Sequence, residues 1–275
     1  MGRIHGRIQE AIRKSKARQL ADTDKFATGG LQIQQETRSE AIERSGTWKS
    51  PHIPSSHIVR ADKELLREQR VIAASEHDER VFHYRQLRTL LLKTMRDNQW
   101  STLAISSAHK YAGKTLTAVN LAISLSRDVN TSVLLVDLDL NTPTVHEKLN
   151  LSPEKGLVDY LEGNAELDEI MFDPGIGGLT VLAGRSAGRE VSELLASQKL
   201  QQLIADLYRQ DEVNITIFDL PPLLRNDDAI LFAPYADATL VVVEVGVTTE
   251  EELRRTMQLL ENANVIGTIL NKARD

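Results

Sequence analysis

From residue 80 onward, short and almost unbroken runs of β-branched and aliphatic residues alternate with longer stretches of helical periodicity. The runs TLAISSA (102–108), SVLLVDLD (132–139), LTVLAG (179–184), NITIFDLP (214–221), TLVVVEVG (239–246) and VIGTILN (265–271) read as strands. A strand with one wet face alternates apolar and polar residues. These runs scarcely do, so both of their faces must be covered. Helical patterns near 80–96, 114–128, 190–209 and 249–262 fall between them. Such alternation predicts an α/β fold with a mostly parallel central sheet flanked by helices on both faces. No internal repeat is visible.

The first 78 residues have a different texture, polar and rich in Gln, Arg, Ser and Lys, with GTWKSPHIPSSH (46–57) as an irregular insert. They are expected to form a flexible arm ahead of a single nucleotide-binding domain over 79–275. Within the arm, Ile4, Ile8 and Ile12 recur at helical spacing beside Arg3, Arg7, Arg13, Lys14, Lys16 and Arg18. A basic amphipathic helix over 3–19, fit to dock a partner or an anionic lipid surface, is one reading, and a solvated basic tail is the other.

Composition narrows the function. The longest apolar run, TLVVVEVGV (239–247), falls short of the ~20 residues that span a bilayer and contains Glu244. The N-terminus has charges but no apolar stretch of a secretory signal behind them. A soluble, cytoplasmic chain is therefore expected. With no cysteine, disulfides, thiolate chemistry and Cys-ligated metals are excluded. His83 and His146 lack partners at ligand spacing. Lys and Arg number 33 against 39 Asp and Glu, a balance that gives nucleic-acid binding no support.

Chemistry concentrates where the first strand meets its helix. Ala108, four further residues, then Gly113-Lys114-Thr115 match the A/G-x-x-x-x-G-K-S/T phosphate-binding loop, between the strand TLAISSA and the helix LTAVNLAISLS. The backbone of Ala108, His109, Lys110, Tyr111, Ala112, Gly113, Lys114, Thr115 and Leu116 is thereby assigned to nucleotide phosphates. Lys114 should reach the β- and γ-phosphates and Thr115 should hold Mg²⁺ through its hydroxyl. Two other strands end in acids: Asp137 and Asp139 in LLVDLDLNTP, and Asp219 in ITIFDLPP. That is the sheet edge where α/β folds place ligands, and Asp219 has the position of a Mg²⁺-organising carboxylate. The expected cofactors are ATP and Mg²⁺. Asp227 and Asp228 read as caps of the helix DDAILFAPY or as outer support for the site, and Arg185 and Arg189 as solvated loop residues or as contacts to phosphate or a partner.

These motifs, with FHYRQLRTLLL, TPTVHEKLNL, GLVDYLEGN, SELLAS and the closing TTEEELRRTMQLLENANVIGTILNK, resemble over about 78–275 the bacterial tyrosine kinases of exopolysaccharide and capsule loci. Those kinases belong to the wider ParA/MinD-like P-loop group. The resemblance implies phosphoryl transfer from Mg-ATP to tyrosine hydroxyls. It implies that Lys114 stabilises the transferred phosphate, that Thr115, Asp219 and Asp137 surround the metal, that Asp137 is the base for the incoming phenol, and that Asp139 supports metal and loop. It also implies a membrane-spanning polysaccharide chain-length regulator, a polysaccharide co-polymerase, as partner at the inner face of the plasma membrane, and a protein tyrosine as substrate.

The sequence departs from that family at identifiable positions. Tyr111 stands where glycine is usual, at a turn where a bulky residue costs about 1 kcal/mol if φ is positive. His109 stands at the ParA/MinD signature lysine, with Lys110 beside it. Asn141 replaces an arginine. Phe82 replaces the glutamate of an E-x-x-R-x-x-R association motif that keeps Arg85 and Arg88, which argues against ring assembly while leaving a homo-oligomer open. No tyrosine follows Tyr235, where the family carries a C-terminal cluster. The expectation is a working nucleotide site with slow turnover. A ParA/MinD-type positioning ATPase and a scaffold without kinase activity remain as alternatives.

Overall fold

The computed structural model describes residues 53–75, 78–187, 191–207, 215–225 and 227–273. The segment 3–19, read as a basic amphipathic helix, lies outside the described residues, as does Arg189.

All six expected strands are present: β1 (Thr102–Ser107), β2 (Val133–Asp137), β4 (Leu179–Leu182), β5 (Ile215–Asp219), β6 (Ala238–Glu244) and β7 (Val265–Asn271). A two-residue strand, β3 (Met171–Phe172), joins them antiparallel to β4, giving the order β3-β4-β2-β5-β1-β6-β7. Every other pairing is parallel. The absence of polar alternation has the cause inferred from sequence, because successive side chains enter two separate cores. Leu103, Ile105, Leu240 and Val242 pack on one face, while Ala104, Val241 and Val243 pack on the other.

Helices α2 (Val81–Asn98) and α3 (Lys114–Ser126) cover the first face. All of α3 except Leu116 is buried, which explains its lack of a polar stripe. The second face is covered by α5 (Leu157–Glu162), α6 (Val191–Leu195), α7 (Gln198–Leu207) and α8 (Asp228–Phe232), with Leu253 and Met257 of α9 (Glu250–Leu259) against its edge. The pattern read as one helix over 190–209 is two helices. Ser197 separates them, its hydroxyl accepting the Leu200 N–H as an N-cap does. Two short helices, α1 (Lys63–Glu68) and α4 (Val145–Lys148), complete the set of described α-helices.

The folded region begins earlier than the sequence boundary at 78. Ile53 packs against the second core, and from Val59 to Ala74 the segment packs on the first: Val59 N–H donates to the Asp173 carbonyl at 2.7 Å, and the His57 ring stacks on Phe172 at 4.4 Å. Leu66, Val71 and Ala73 are buried, and Ala73 N–H donates to Asn120 Oδ1 of α3. The contacts of this stretch are distant in sequence, and its apolar residues show neither a long helical nor a strand period, so from sequence it reads with the polar arm that precedes it.

Candidate functional site

Strands β1, β2 and β5 deliver their carboxyl ends to one place. The pairing of β2 with β5 sets Asp137 opposite Asp219, and the pairing of β5 with β1 sets Asp219 opposite Ile105, just before the loop 108–113. The loop then turns into α3 through Gly113, whose φ of 98° belongs to the left-handed region. No side chain caps this helix, so its first N–H groups are left for a ligand. A Cβ at Gly113 would come 2.0 Å from the Asn271 amide nitrogen, which donates to the Ala112 carbonyl at 2.8 Å. Glycine is required here on both counts.

The five charged or hydroxylic residues expected at the site converge. Lys114 Nζ lies 2.7 Å from Asp139 Oδ2 and 3.6 Å from Asp219 Oδ1. Thr115 donates its hydroxyl to Asp219 Oδ2 at 2.6 Å. Asp137 accepts Asp139 N–H on Oδ1, and Thr144 and Val145 N–H on Oδ2. Those donors fill three of roughly four lone-pair positions of the carboxylate and leave one on Oδ1. Asp139 Oδ1 accepts the N–H and the hydroxyl of Thr142, which folds the segment after β2 around the acids.

One ammonium facing three buried carboxyls leaves surplus negative charge. Burial, then the charge of Asp219, pushes the Asp137 carboxyl up to about 8, against the pull of its N–H donors and Lys114. Burial likewise raises Asp219, opposed by Lys114 and Thr115. Burial opposes the charge of Lys114 too, but Asp219, Asp139 and Asp137 together outweigh it and hold the ammonium above the usual lysine value. Asp137 and Asp219 are thus both biased toward the protonated form beside a fixed cation. Asp219 Oδ1 is buried and accepts no hydrogen bond.

The rest of the loop divides by role. Ala108 and Ala112 are buried, and the Ala108 carbonyl accepts Leu224 N–H. Leu116 packs against the first core, leaving only its backbone toward the helix mouth. His109 turns from the acids and meets Glu252 of α9 at 3.1 Å. Glu252 is held down at about 2 by the backbone and hydroxyl donors of Thr249 and by His109. Lys110 sits 5.2 Å from the centre of the Tyr111 ring. Tyr111 has φ 69°, so the turn does demand a left-handed residue, and its side chain is 77% exposed.

Two supporting residues, Gly184 and Asn271, were not read from the sequence. A Cβ on Gly184 would meet Pro143 Cβ at 2.8 Å and Asp137 Cγ at 2.9 Å, so this glycine lets the carboxylate pack against the end of β4. Asn271 fastens the loop from the end of β7. Asn141, at the position of the expected arginine, donates to Asp228 Oδ2 at 2.8 Å, and Ser192 donates to Oδ1 at 2.7 Å. Asp228 thus takes the outer supporting role that was one of its two readings. Asp227 stands at the N-cap of α8 without a side-chain cap hydrogen bond. Arg185 pairs with Asp159 at 2.9 Å. A glycine closing LTVLAG and a polar residue ending VIGTILN are the only local signals of this set.

The family described as the CobQ/CobB/MinD/ParA nucleotide binding domain matches residues 103–275. The chain is 33% identical to a tyrosine-protein kinase, etk, of Escherichia coli K12 over 196 residues, which are 70% of this chain and 27% of that protein. It thus spans about a quarter of that relative's length. It is 30% identical to the tyrosine-protein kinase YwqD of Bacillus subtilis, covering 68% of this chain and 79% of that one. Among solved structures, the kinase domain of the Escherichia coli tyrosine kinase ETK superposes with a TM-score of 0.69 at 29% identity, over 81% of this chain and 91% of the other. The Pyrococcus furiosus cell division ATPase MinD gives 0.52 at 23% identity, over 62% and 71%, a likeness of fold alone.

Proposed function

This chain belongs to the bacterial tyrosine-protein kinases within the CobQ/CobB/MinD/ParA nucleotide-binding group, and from that premise we propose that it binds Mg-ATP at residues 108–116 and transfers the γ-phosphoryl group to tyrosine hydroxyls, in the service of exopolysaccharide or capsule production. The observation that carries the reading is the buried Asp219 Oδ1, which accepts no hydrogen bond beside the Thr115 hydroxyl and Lys114. A hydroxyl and an acceptor-only carboxylate at a helix mouth form a donor set suited to Mg²⁺.

Thr115 and Asp219 would hold the ion, with Asp137 behind them. Mg²⁺ bound there would neutralise charge on the phosphates. Lys114, drawn from Asp139 toward a phosphate, would stabilise the group in transfer, while the N–H groups of the loop and of α3 hold the phosphate oxygens. Asp137 keeps one free lone pair on Oδ1 for the phenolic proton, and with its carboxyl raised to about 8 the ionised form that can accept that proton grows as pH rises toward 8. Asp139 releases Lys114 and keeps the segment after β2 in place through Thr142.

The partner that fits this reading is a membrane-spanning polysaccharide chain-length regulator, which would hold the protein at the inner face of the plasma membrane. Among the described residues, no helix is long and apolar enough to cross a membrane. The test is to measure ADP, free phosphate and phosphotyrosine in one purified sample given Mg-ATP. ADP and phosphotyrosine should appear, and both should disappear in Lys114→Ala. Phosphate release without phosphotyrosine would favour a positioning ATPase instead, and binding without either would favour a scaffold.

A further inference from the structure

Tyr111 combines three properties that the nucleotide site does not explain. It holds φ 69° at a turn that glycine would occupy without cost, so its side chain is retained against a backbone penalty. It is the most exposed of the described tyrosines, at 77% against 36% for Tyr235, with Tyr84 and Tyr160 half-buried. It also has a cation at hand, since Lys110 Nζ stands 5.2 Å from its ring. A phenol on a tight exposed turn beside an ammonium has the accessibility a phosphoacceptor needs and a ready counter-charge for the product.

We propose that Tyr111 is itself a phosphoacceptor, modified by a second copy of this chain, and that phosphate placed there weakens nucleotide binding by the loop that carries it. The inference rests on the kinase reading above. In the step, the Tyr111 phenol oxygen of one copy bonds to the γ-phosphorus of ATP held by the other. The bond from that phosphorus to the β–γ bridging oxygen breaks, and ADP leaves with the electron pair. The phenolic proton passes to a carboxylate of the second copy, Asp137 in the role given above.

A second copy is required because the acceptor must lie opposite the leaving oxygen. A side chain rooted in the cradle that grips the phosphates is rooted on the wrong side for its own nucleotide. The product would carry close to two negative charges at the mouth of a site built to receive phosphate anions. Lys110, the neighbouring cation, would be drawn to it and away from incoming nucleotide. At separations near a Debye length such repulsion amounts to an affinity loss on the order of tenfold.

The experiment mixes untagged full-length protein with a tagged full-length Lys114→Ala acceptor and Mg-ATP, then maps phosphotyrosine on the tagged chain by mass spectrometry. The expected result is phosphate on Tyr111 of the acceptor, absent when the acceptor also carries Tyr111→Phe. Phosphotyrosine elsewhere with Tyr111 unmodified overturns this inference and leaves the kinase reading standing. No phosphotyrosine on any chain overturns both. A separate readout compares Mg-ADP affinity of the phosphorylated protein, by calorimetry, before and after treatment with a tyrosine phosphatase. Removal of the phosphate should raise affinity about tenfold, and an unchanged affinity would overturn the regulatory half of the proposal.

Discussion

At the scale of single residues, the site is a balance between one cation and three acids. Replacing Lys114 by alanine removes the only ammonium paired with Asp139 and Asp219 among the described residues. It also removes a charge-assisted contact to phosphate, of about 1.5–3 kcal/mol, so Mg-ATP affinity measured by calorimetry should fall ten- to a hundredfold. A second prediction follows from Asp137. A carboxyl whose folded pKa lies above its unfolded value stabilises the protein fully below about pH 4, and that contribution is lost as pH rises toward about 8. Metal-free protein in a chelator should therefore lose thermal stability across that window, and Asp137→Asn should flatten the slope. An equally steep slope in the variant would mean that other groups cause it. The meeting of Lys114 and Thr115 was legible from sequence because their spacing on a strand–loop–helix unit has one chemical use, and that of Asp219 because an acid ending an apolar strand falls at the ligand edge of the sheet. Asn271 and Gly184 were not, because each acts through a contact that only the folded sheet creates.

Strands were the most legible elements, since burial on both faces writes itself into composition. The two-residue β3 was invisible because no periodicity fits in two residues. The break between α6 and α7 was missed because Ser197 works as a cap through geometry rather than as a helix breaker. At this scale Gly184 is the telling position, where β4 ends against the carboxylate of β2. Gly184→Ala should cost about 1–3 kcal/mol in denaturant unfolding, because neither Pro143 nor the Asp137 carboxylate has room to retreat. Its effect on nucleotide affinity should exceed that of an alanine at Gly163, where a Cβ meets nothing within 4 Å.

For the whole molecule, the segment 53–75 decides where a stable fragment can begin. Leu66 and Val71 are buried, and full burial of such side chains contributes about 1.5–3 kcal/mol each. A chain starting at residue 79 should therefore unfold with a stability about 3 kcal/mol or more below that of the full chain, as measured by urea titration. A chain lacking only residues 1–20 should match the full chain in ATP affinity while losing whatever partner or lipid binding that stretch confers.

The hydrogen bond from Asn271 to the Ala112 carbonyl joins residues 159 apart in sequence. A ribosome releases this chain from its N-terminus, so the loop 108–113 emerges long before the strand that fastens it. Until β7 is docked beside β6, the phosphate cradle lacks one of its walls. A nascent chain would thus be kept from engaging nucleotide while still incomplete, and acquisition of the ligand would coincide with closure of the sheet at its far edge.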